Sequence, residues 1–195
     1  MLDNDVLIEI VKIIQQSKQL VQNPGKANSS YAFPNNNSTS DELKNNLLSL
    51  QKSIEVGIKN LNGHYSSKKE LVAKFQLAFK PINYDLQKLI QSKLAFEREV
   101  SPYIHLNDIP DEQTYNLVLF FIHRKILADY LNWCDQLECS LLGIRDESTK
   151  LNLDISFEMM LFKIFNNILD LSGENARSGS KKALLAGLLL GLFSH

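Results

Sequence analysis

Proline and glycine are scarce in this chain, five and eight of 195 residues. A sequence with so few breakers leaves room for long uninterrupted helices. Cysteine is scarcer still. Cys134 and Cys139 would lie about 140° apart around one helix, too far apart to bridge locally. They have no metal-ligand spacing either, which excludes a disulfide framework and a zinc site. A reduced, cytoplasmic setting with buried, inert thiols is the simplest expectation. Charge of either sign is not in excess: 21 Lys and Arg oppose 22 Asp and Glu, for a net charge of −1. Phosphate contacts dominate nucleic-acid affinity and leave a basic surplus in dedicated binders, so no DNA partner is expected. The start, "MLDNDVLIEI", carries acidic residues where a secretion signal needs basic ones.

Signature motifs are also missing. The chain has no Gly-rich phosphate loop, no G-x-S-x-G, no H-E-x-x-H and no C-x-x-C. His64, His105, His123 and His195 are scattered, and no pair has ligand spacing. No metal and no cofactor is therefore expected.

What is present is helical periodicity, in almost every long segment. Residues 1–22 form the first unit. Val6, Ile10, Ile13 and Ile14 fall mostly on one face, and "NPG" at Asn23–Gly25 ends it. Residues 23–39 are rich in Asn, Ser and Pro with almost no charge. Such a stretch buries too little apolar surface to offset its ordering entropy, and reads as a flexible linker. The first helix is then an arm, able to dock on its own chain or on a neighbour.

Residues 40–173 read as the core. A capping box, Thr39-x-x-Glu42, opens a helix with Leu43, Leu47, Leu50, Ile54, Ile58 and Leu61 at spacings of three or four. Gly57 sits beside that seam, and Asn62-Gly63 ends it. A second box, Ser67-x-x-Glu70, opens a helix that Pro81 should end or kink, with the apolar pattern continuing to about Glu99. The next helix spans about Asp111 to Leu142. Its segment "LVLFFI", Leu117–Ile122, is apolar all round, the pattern of a helix at the centre of a bundle. His123-Arg124-Lys125 reads as its solvated stripe, with Asp129 one turn on as a partner. A further helix over about Ser156–Leu171 completes an all-α bundle of about six or seven helices.

One pair of residues carries a catalytic expectation. In "REVSPYIH", Arg98 and His105 are separated by six residues. This resembles the Arg-x(4–6)-His signature of HEPN-family ribonucleases, which are all-α and usually dimeric. The resemblance covers eight residues and implies His105 as acid or base and Arg98 as phosphate stabiliser, roles suited to phosphoryl transfer. Ser101-Pro102 falls between the two and interrupts the helix that would hold both.

The polar hinge and tail, residues 174–195, end in eleven residues without a polar side chain, Ala183–Phe193. As a helix these span about 16 Å against a hydrocarbon core of about 30 Å, too short to cross a bilayer. Ala183, Gly187 and Gly191 form a small-residue ridge flanked by Leu188, Leu192 and Phe193. An apolar segment of this size needs a cover: its own bundle, a second copy, a protein partner, or a membrane reached through residues 181–195 with Lys181 and Lys182 among the head groups. The expectation that follows is a non-enzymatic helical interaction subunit. It self-associates or joins a larger complex through its terminal helices and is cytoplasmic or peripheral to a membrane; the alternatives are a HEPN-like ribonuclease using Arg98 and His105, or a membrane-active protein acting through its apolar tail. The contact residues would be Val6, Ile10, Ile13 and Ile14 at one end and the residues of the tail at the other.

Overall fold

In the computed structural model, residues 4–24, 40–100, 102, 111–143 and 150–151 are described. The tail, the helix expected at 156–171 and His105 lie outside them. So does all of the expected linker beyond Asn23 and Pro24. The described residues form four helices: α1 (Asn4–Gln22), α2 (Ser40–Leu61), α3 (Lys68–Val100) and α4 (Asp111–Gly143). They confirm the all-α class. The helix count beyond four rests on residues outside the description. Between α2 and α3, β1 (Gly63–His64) makes a two-residue antiparallel pair with β2 (Lys150–Leu151).

The element ends follow from local chemistry. α1 closes at Asn23, whose N–H reaches the Gln19 carbonyl, just ahead of Pro24. α2 closes with the Asn62 N–H on the Ile58 carbonyl. Gly63 then takes a φ of +143°, a conformation that glycine alone adopts without strain. At the start of α3, the Glu70 N–H donates to Ser67 Oγ (3.2 Å), as the capping box predicts. The return bond is shifted by one residue. Glu70 Oε2 accepts from the Ser66 N–H (2.8 Å) and from its hydroxyl, and these bonds hold the carboxyl below its ordinary pKa.

α3 runs unbroken through Pro81, so the helix does not end there, one of the two outcomes expected of that residue. Pro81 has no N–H for the Leu77 carbonyl. Both residues lie on the exposed side of the helix, Leu77 at 69%, so water can satisfy the freed carbonyl. α3 is also the central helix, touching α1, α2 and α4, a place the apolar run in α4 suggested for that helix instead. α4 packs on α3 and α1, and its core-facing side includes Ile122, Ile126, Leu127, Tyr130, Trp133, Cys134, Leu137 and Leu141.

On its other flank α3 meets α2 in antiparallel fashion. Asn46 donates to Ser92 (2.9 Å) and Ser53 to Asp85 (2.6 Å). Leu47, Leu50, Ile54 and Leu61 are buried, so the heptad-like seam is spent on this chain's own α3. Gly57 permits the approach: a Cβ there would lie 3.2 Å from Ile82 Cδ1. The β1–β2 pair returns the end of α4 to the start of α3, so these helices are antiparallel. α1 runs against α4, Gln15 meeting Glu138 and Lys18 meeting Asp135, and hence along α3. Aromatic contacts fill the space between: Phe79 lies 6.3 Å from Trp133, which lies 5.6 Å from Tyr130.

Candidate interaction site

α1 carries the first group of expected contact residues. Ile10 and Ile14 are fully buried and Val6 is 7% exposed, all within the common core. As folded here, α1 docks on its own chain, and these three side chains are covered by it rather than open to a partner. Ile13 differs. It is only partly buried and lines a groove of about 650 Å³ between α1 and α3.

That groove has a layered construction. Ile13, Val72 and Phe79 supply an apolar floor. Glu9, Lys12 and Gln16 form the rim on α1, and Gln76, Lys80, Asn83, Tyr84 and Gln87 form it on α3. The helical period explains this. On each helix the groove takes positions one step round from the core-facing set, where the apolar stripe gives way to polar residues. Amides outnumber charges on the rim, which carries two cations, Lys12 and Lys80, and one carboxylate, Glu9. Such a surface can bury a small apolar group and offer donors and acceptors to a polypeptide around it.

Beneath the groove α1 is keyed by polar groups. Ser17, fully buried, donates from Oγ to Asn83 Oδ1 (2.5 Å). A hydroxyl has one proton, so the 2.6 Å contact between Ser17 Oγ and Tyr130 makes the phenol the donor. The chain of bonds runs Tyr130 to Ser17 to Asn83 and links α4, α1 and α3. Burial drives the Tyr130 hydroxyl well above its ordinary pKa, with Cys134 adding to it. Burial likewise pushes the Cys134 thiol up to about 12. Lys18, 8% exposed, sits 2.5 Å from Asp135 and 3.6 Å from Glu138. Its bond to Asp135, which outweighs desolvation, raises its pKa and keeps it charged. Gln15 completes the set with a 2.8 Å bond to Glu138. Ser17 and Lys18 occupy the positions three and four after Ile14, where an apolar stripe should continue. That interruption is the signal in the sequence for a buried polar node.

The other expected residues fare differently. Arg98 lies in the last turn of α3, where the helix but not the side chain is described, and His105 lies outside the described residues. α3 ends at Val100, ahead of Pro102, so one helix does not carry both. Ala183, Gly187, Leu188, Gly191, Leu192 and Phe193 also lie outside the described residues. His123 is fully buried, so the solvated stripe of α4 excludes it; it holds exposed Arg124 and half-buried Lys125, whose Nζ meets Asp129 at 2.6 Å. Cys134 is buried but Cys139 is exposed, against the expectation of two buried thiols, and both are free. Among the described residues no group of His, Cys, Asp and Glu is placed to hold a metal ion, and no helix is long and apolar enough to cross a membrane.

The fold and this site define an all-α bundle protein with a polar-rimmed groove beside a terminal helix. No family model matches the chain, and neither a curated protein nor a solved structure does.

Proposed function

We propose that the protein is a non-enzymatic α-helical interaction subunit that self-associates or joins a larger complex through its terminal helices. The observation that carries this reading is the groove, where the outward side of α1, with Ile13 on the floor, stands beside α3. The apolar stretch Ala183–Phe193 supports it from the sequence, as a second segment in need of a cover. In this reading α1 contributes through Ile13 and its polar rim, while Val6, Ile10 and Ile14 hold it in place.

The test is the solution mass by light scattering of three chains: the full chain, a chain ending at Ser180, and Ile13→Asp. The expected result is an oligomeric full chain and a lower mass for at least one variant, with helical content by circular dichroism unchanged. A monomeric full chain at all accessible concentrations would remove self-association. If the chain ending at Ser180 kept the full mass, the tail would have no part in assembly.

A further inference from the structure

We draw no further inference here: the strongest candidate, the groove between α1 and α3 with its Ile13, Val72 and Phe79 floor, belongs to the site already described, and nothing in the structure shows what covers it.

Discussion

Ser17 shows how much one small side chain can carry. It accepts from Tyr130 and donates to Asn83, and so links α4, α1 and α3. Ser17→Ala removes the acceptor of the Tyr130 hydroxyl and the donor to Asn83 Oδ1, at a cost of about 1–3 kcal/mol. Tyr130→Phe leaves the Ser17–Asn83 bond in place and should cost less, about 1 kcal/mol. Urea unfolding of the two variants should therefore rank Ser17→Ala as the weaker, and the reverse order would mean that these two bonds contribute little to the junction. Cys134 gives a second prediction at this scale. Its thiol is neutral in both states below the ordinary value of 9.0, so it adds no pH dependence there. Between 9.0 and about 12 the unfolded chain releases the proton and the folded chain keeps it, so stability falls as pH rises. Cys134→Ala should flatten the fall in urea midpoint across that window, leaving a residual slope from Tyr130.

At the scale of elements, the two helices that meet most closely make opposite demands on their breakers. Pro81 is an exposed interruption that α3 tolerates, so Pro81→Ala should restore the bond to the Leu77 carbonyl and raise stability by about 1–3 kcal/mol. A lower melting temperature would mean that the ring sets a bend the bundle needs. Gly57 is an opening that the α2–α3 contact uses, so Gly57→Val should cost about 1–3 kcal/mol by forcing Ile82 aside. Both can be read from thermal melts. These helices also show what a sequence makes visible. The Ser67–Glu70 cap, the Leu47–Leu61 stripe and the Gly63 stop are local, encoded within a few residues of where they act, and they were legible. The passage of α3 through Pro81 was not, because packing on three neighbours outweighs a local penalty. The burial of His123 is likewise a property of its neighbours. The candidate site was legible in part. The spacing of Val6, Ile10 and Ile14 marked α1 as a helix with one face to bury, but not whether its own chain or another would bury it. Lys18 finds Asp135 across 117 residues, and no pattern within α1 names that partner.

At the scale of the whole molecule, α3 works as a spine with α2 on one flank and α1 and α4 on the other. Substitutions on α1 should therefore separate into two kinds. Ile10→Asp places a charge in the core and should loosen α1 or unfold the chain, whereas Ile13→Asp alters the groove at a partly buried position and should lower the melting temperature much less.

The small β1–β2 pair has a consequence in time as well as in space. It joins Gly63 to Leu151, 88 positions apart. Closing an unstructured loop of that length carries an entropic cost of about 4 kcal/mol, more than two residues of ladder recover. The pair can therefore close only once α3 and α4 have already brought their ends together, which makes it a late event in folding. Gly63→Ala, which strains the +143° backbone of the pair's first residue, should steepen neither limb of a denaturant chevron. It should raise the unfolding rate and leave the folding rate unchanged, because the pair is absent when the barrier is crossed.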